Sequence, residues 1–140
     1  MQSCYRQIQQ ALMLAEQRQG IEMLSEAFFG HFFATYPETR EYFRDTDIRK
    51  FGPEKFRIVS SFLLDIVRHP DFAEVELTDE VRRHLAYGLK DKAYYFALID
   101  ALEQSVREAL QQDWEGEMAE SWHDVTLAMK GVIGQASAFV

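Results

Sequence analysis

An all-α fold of about seven helices, two of them very short, is predicted by three observations on this 140-residue chain. Leu, Ala, Glu, Gln and Arg outweigh Val and Ile, a balance that favours helix over sheet. Only three Pro and seven Gly punctuate the chain, so its elements are long and few. Apolar residues recur at helical spacing over most of the length, with no convincing strand. The length suits one domain, 1–140, around one core.

The first helix is read over residues 3–18, where Tyr5, Ile8, Leu12 and Ala15 mark one face and Gln, Arg and Glu the other. Gly20 ends it. A second helix starts near Ile21 and carries Leu24, Phe28, Phe29, Phe32 and Phe33. Four phenylalanines in six residues cover a wide arc, so this helix is buried on more than one side. Tyr36-Pro37-Glu38 breaks it, because the residue before proline resists the α region while proline suits a first turn. A short helix from Pro37 to about Phe43 follows, then a polar loop from Arg44 to Asp47.

By the same proline logic, Gly52-Pro53-Glu54 is expected to start the next helix. Its apolar face is Phe56, Val59, Phe62, Leu63, Ile66 and Val67, and His69-Pro70 ends it. Residues 70–77 read as a connection anchored by Phe72, Val75 and Leu77. Thr78 is the expected N-cap of a helix running to about Tyr87, with Asp79 and Glu80 favourably placed in its first turn. After Gly88 a long helix carries Tyr95, Ile99, Leu102, Val106 and Leu110; Asp113 to Gly116 interrupts it. The last helix carries Met118, Trp122, Val125, Met129, Val132 and Ile133.

Composition excludes several functions. A net charge of −8 without a basic stripe opposes nucleic acid as a partner. Cys4 is the one cysteine, so neither an internal disulfide nor a multi-cysteine metal cage is possible. The apolar run Ile58 to Val67 is interrupted by Ser60, Ser61 and Asp65, so no membrane span is expected. The first residues lack a basic start followed by an apolar run, and a cytoplasmic location is the expectation.

The stretch from Val81 to Leu102 organises the rest. His84 sits one turn before the break at Gly88, where it can present a ring nitrogen to a flat ligand. The plain alternative is a histidine closing a helix, its charge favoured by the helix dipole.

The surroundings favour the ligand. Phe28-Phe29-Gly30-His31-Phe32-Phe33-Ala34-Thr35-Tyr36-Pro37-Glu38, followed by Tyr42-Phe43, resembles the second helix and corner of bacterial single-domain globins and flavohaemoglobin haem domains. His84, with Gly88-Leu89 next and Tyr94 after, resembles their proximal histidine motif. Trp122 in Glu120-Ser121-Trp122-His123 resembles the tryptophan of their last helix. The matches keep their order across most of the chain.

The resemblance implies a globin fold around a haem b pocket, with His84 as the iron ligand. Its other ring nitrogen would donate to a nearby carbonyl or side chain. It places Phe43 on the haem face, Phe29 over the gas-binding side and Tyr94 near the proximal base. Arg83, Lys90 and Lys92 are candidates for the propionates by proximity and charge. For the distal residue two spacings stand open. Aligning Pro53 with the proline that opens the distal helix of some bacterial relatives gives Gly52 at the gate and Phe56 one turn on. Vertebrate spacing counted back from His84 gives Lys55 and Val59.

Neither spacing supplies a histidine or glutamine at the gate. Phe29 stands where flavohaemoglobins carry a distal tyrosine, and Ser137 about where they carry a proximal glutamate. The implied function is reversible binding of a diatomic gas: oxygen, carbon monoxide or nitric oxide. The alternative is a globin-fold sensor regulating a separate partner or acting as a homodimer. Nitric oxide or peroxide consumption ranks third, because it needs an external reductase and an activated iron.

For other residues the plain readings stand. Lys55 reads as a solvated residue in a first helical turn, His31, His69 and His123 as surface or helix-end histidines, and Trp122 as packing between helices.

Overall fold

The computed structural model describes residues 2–89 and 91–137. Six α-helices form α1 (Gln2–Gln19), α2 (Ile21–Thr35), α3 (Ile48–Arg68), α4 (Pro70–Ala86), α5 (Lys92–Leu110) and α6 (Gly116–Ser137). Two 3₁₀ helices, Pro37–Phe43 and Gln111–Asp113, link α2 to α3 and α5 to α6. No strand occurs among the described residues. The predicted all-α class and the short Pro37 helix hold.

Two expected starts move. The helix expected to open at Gly52-Pro53 begins at Ile48, with the Asp47 carboxylate accepting from the Arg49 N–H at 3.1 Å. Pro53 is tolerated inside α3 because Gly52 has no Cβ to clash with the proline ring. The stretch 70–77 is not a connection but the first half of α4, opened by Pro70 at its first turn. Its buried stripe is Ala73, Leu77 and Val81, four residues apart. Phe72 and Val75 face outward. Thr78 is no cap: its hydroxyl donates back to the Glu74 carbonyl at 2.7 Å, as threonine does inside a helix. Asp79 and Glu80 accordingly lie mid-helix.

Helix α2 lies at the centre, packed on α3 and α5; α1 packs on α5 and α6, and α3 on α4. Leu24, Phe28, Leu63, Leu102, Val106, Leu110 and Trp122 are fully buried in one core. Each large side chain so buried contributes roughly 1.5–3 kcal/mol of transfer free energy. Small residues, Gly52 and Ser25, meet where α3 packs on α2. A Cβ on Gly52 would lie 3.3 Å from Ser25 Oγ and 3.7 Å from the Phe29 ring. That crossing sets the rotation of α3, and so decides which of its side chains face inward toward α4.

Candidate functional site

The site is built from the end of α4. At Gly88 the backbone turns left-handed, φ +87°, which glycine adopts freely. The Leu89 N–H then reaches the His84 carbonyl at 3.1 Å and the Gly88 N–H the Leu85 carbonyl at 3.0 Å. These paired bonds close the helix and fix the backbone of His84. Its ring is fixed as well. His84 Nδ1 lies 2.7 Å from the Glu80 carbonyl. A carbonyl only accepts, so Nδ1 carries a proton, and in the neutral ring the free lone pair is on Nε2. The Glu80 carboxylate stands 3.6 Å from the same nitrogen, and the Tyr95 ring meets the imidazole edge-on at 5.9 Å between centroids.

His84 lines a cavity of about 680 Å³. That volume falls within the roughly 300–1,000 Å³ typical of sites for small molecules and cofactors. Helix α3 contributes Phe51, Lys55, Val59 and Phe62, spaced as one helical face. Helices α4 and α5 contribute Leu77, Glu80, Val81, His84, Tyr94, Tyr95, Leu98 and Ile99. Phe43 closes the corner, and Met129 and Ile133 of α6 also line the cavity. The segment Glu41–Thr46 supplies polar groups at the same corner, among them Arg44, which is highly exposed and stands 3.5 Å from Glu41 and 3.8 Å from Asp45.

Of the residues singled out in the sequence, Phe43, Lys55, Val59, His84 and Tyr94 come together here. Others do not. Phe29, expected over the gas-binding side, lies behind the wall, 5.5 Å from Phe43 and 6.4 Å from Phe51 between ring centroids. Phe56 faces the core, edge-on to Phe28 at 5.7 Å. Gly52 is taken by the crossing with Ser25 and offers the cavity nothing. Arg83 points to solvent and pairs with Glu80, and Lys92 is exposed away from the cavity lining. Lys90 and the side chain of Ser137 lie outside the described residues.

Tyr94 was expected beside His84. It lines the cavity, but its hydroxyl donates to Glu38 at 3.3 Å and its ring packs on Tyr36 at 5.0 Å. Its burial, reinforced by the Glu38 carboxylate, pushes the phenol above its ordinary range. The tyrosine beside His84 is Tyr95, whose buried hydroxyl has no partner among the described residues. Burial, with Glu80 adding, pushes its phenol up to about 12. Adjacent residues on a helix point about 100° apart, so only the rotation of α5 separates the two roles.

Lys55 is not solvated. It stands in the third turn of α3 with its side chain on the cavity wall. Burial pushes its ammonium below the ordinary lysine range; Glu80 opposes this and Arg83 adds to it. The other plain readings hold: His31 pairs with Glu108 at 2.5 Å, His69 ends α3, and Trp122 packs against Trp114 at 5.6 Å. Sequence reasoning did not single out Phe51 or Arg44 for the site. The spacing Phe51, Lys55, Val59, Phe62 was the signal that could have found the first.

An apolar cavity lined by five α-helices and a 3₁₀ turn, with one histidine on its wall, defines a small all-α protein with room for an apolar ligand. The Globin family model matches residues 26–133, and the chain belongs to the globin family, whose members bind haem. No curated protein and no solved structure matches the chain.

The residues present fit haem. The cavity has the size and aromatic lining such a group needs, and His84, with Nδ1 bonded to the Glu80 carbonyl, has Nε2 left to offer a metal. Among the described residues no group of three or more His, Cys, Asp or Glu side chains is placed to hold a bare metal ion. No described helix is long and apolar enough to cross a membrane.

Proposed function

We propose that His84 would hold the iron of haem b and that the protein reversibly binds a diatomic gas there. The observation that carries this reading is the 2.7 Å contact from His84 Nδ1 to the Glu80 carbonyl, which leaves Nε2 as the free donor of a cavity-lining side chain. When bound, haem supplies a ferrous iron able to take oxygen, carbon monoxide or nitric oxide.

The chain's own residues do the rest. The Glu80 carbonyl orients the imidazole and raises its basicity, as hydrogen-bond acceptors behind a metal-bound histidine do. Phe43, Phe51, Val59, Phe62, Leu98 and Ile99 keep water from the cavity and present apolar surface to the macrocycle. Arg44, at the end of the 3₁₀ helix between α2 and α3, is the cation that suits a carboxylate, in place of Arg83.

Ferrous–CO absorption spectra of the purified protein and of His84→Ala test the reading. A single saturable haem site whose spectrum changes in the variant is expected. Failure to bind haem, or an identical spectrum after the substitution, defeats it.

One observation favours sensing over oxygen storage. Lys55 is the one polar side chain that α3 presents to the cavity, among Phe51, Val59 and Phe62. A wall so poor in neutral hydrogen-bond donors does little to hold a polarised ligand. In that reading ligand state regulates a partner or a second copy of the chain, and a partner that co-purifies in only one ligand state is the expected signature. A redox cycle would draw electrons from an external reductase.

A further inference from the structure

Lys55 occupies the middle of the α3 wall, and the proposed haem binding gives its amine no role. Phe51 precedes it by one turn and Val59 follows by one, so it is a primary amine flanked by apolar side chains. It forms none of the ion pairs found among the described residues. The two charges it senses are Glu80 and Arg83, both on α4 within one turn of His84. Lys55 lines the same cavity as Glu80 and His84, from the neighbouring helix α3. A group held by His84 in that cavity would lie within the space that α3 also lines.

We infer that the Lys55 amine is an internal sixth ligand to the iron, so that an incoming gas must displace it. This rests on the haem reading above. Ligation takes the neutral amine: the ammonium gives one proton to solvent, and the freed lone pair of Nζ forms the bond to iron. No electron is transferred. Among side chains of α3 facing the cavity, Lys55 alone has such a lone pair to offer. The apolar surroundings favour the neutral amine, because desolvation penalises the charged form. A four-carbon stem lets the amine swing aside when a ligand arrives, so the pocket would be closed at rest and opened by displacement. The gas then binds with an affinity reduced by the fraction of molecules in the open form. This gives the apolar wall a purpose: selectivity would come from competition with an internal ligand rather than from a hydrogen bond to the gas.

The test uses the haem-loaded full chain, with Lys55→Met and Lys55→Arg beside the wild type. Methionine retains length without an amine. Arginine retains charge but stays protonated and has no lone pair to give. Haem stoichiometry is measured first by titration, then ferric spin state by electron paramagnetic resonance and absorption, then CO binding to the ferrous form.

The expected result is low-spin ferric iron in the wild type and the loss of that signal in Lys55→Arg. In Lys55→Met the low-spin signal changes character or is lost, according to whether the thioether reaches the iron. Lys55→Arg should bind CO roughly tenfold more tightly if about nine-tenths of the wild-type molecules are closed. High-spin iron in a haem-loaded wild type overturns the Lys55 assignment alone and leaves His84 standing. A low-spin signal unchanged in Lys55→Arg also overturns it. A chain that takes up no haem at one equivalent overturns the haem reading and this inference with it.

Discussion

The two sides of the cavity are built to different standards. Behind the α3 side stands a continuous aromatic layer: Phe29 touches Phe28, Phe33, Phe43 and Phe51, and Phe28 in turn meets Phe56. The α4–α5 side is looser and more polar. His84 and Tyr95 are only part-buried, Tyr87 is 75% exposed, and Glu80 brings a carboxylate to the wall. The difference separates two tasks. A dense aromatic layer fixes the shape of the space, because packed rings leave few alternative arrangements. The polar side fixes one nitrogen by hydrogen bonds and leaves the remainder adaptable.

The largest test of this contrast is Phe29→Ala. It removes the ring on which the aromatic layer is centred and should cost about 3–5 kcal/mol of stability. Urea denaturation of the cofactor-free protein measures it, with Phe43→Ala on the half-buried corner expected to cost less. Equal losses would erase the distinction between a backing layer and a lining residue. Next comes Gly52→Ala, whose new Cβ meets Ser25 and Phe29 at the crossing that rotates α3. Overpacking there should cost about 1–3 kcal/mol by the same assay.

On the polar side the expected effects are smaller and depend on pH. Tyr95 has a phenol raised to about 12 by burial. The folded chain then retains a proton that the unfolded chain loses near pH 10, so stability is full below pH 10 and falls as pH rises toward 12. Tyr95→Phe should leave neutral-pH stability nearly unchanged and remove that share of the alkaline loss, as alkaline denaturation of the cofactor-free protein would report. Lys55 acts with the opposite sign. Its lowered value makes the unfolded chain the stronger proton binder, so stability from this residue rises through the window below the ordinary lysine value of 10.5. Comparing Lys55→Met with the wild type separates the two.

The smallest effect is expected from Glu80→Gln. The bond that orients His84 comes from the Glu80 backbone carbonyl, which the substitution retains. Haem affinity should change by less than about tenfold, the lower bound for removing a partner of a metal-bound histidine outright. A larger loss in a haem titration would move the credit from the carbonyl to the carboxylate.

What could be read from the sequence follows the same division. His84 and Gly88 were legible because the helix end that places them is local: a glycine four residues on, and bonds that span one turn. The Pro37 helix was legible for the same reason. Helix α4 was cut short because its buried stripe starts with a small residue, Ala73, while the larger Phe72 and Val75 stay exposed. The inward face of α3 was not legible. It depends on the approach of Gly52 to Ser25, a contact between residues far apart in the chain. Two spacings therefore stood open, and Lys55 and Val59 came from one while Phe51 came from neither. The exchange of Tyr94 for Tyr95 has a similar origin, a rotation of α5 that side-chain packing decides.

The central claim is that His84 holds the iron, and haem titration with chemical rescue addresses it most directly. Titrating haem into the wild type, His84→Gly, and His84→Gly with added imidazole compares the same cavity with and without its nitrogen donor. The wild type should saturate at one equivalent, the variant should lose the spectrum of histidine-ligated iron, and imidazole should restore it. A His84→Gly spectrum identical to the wild type without imidazole would contradict the account.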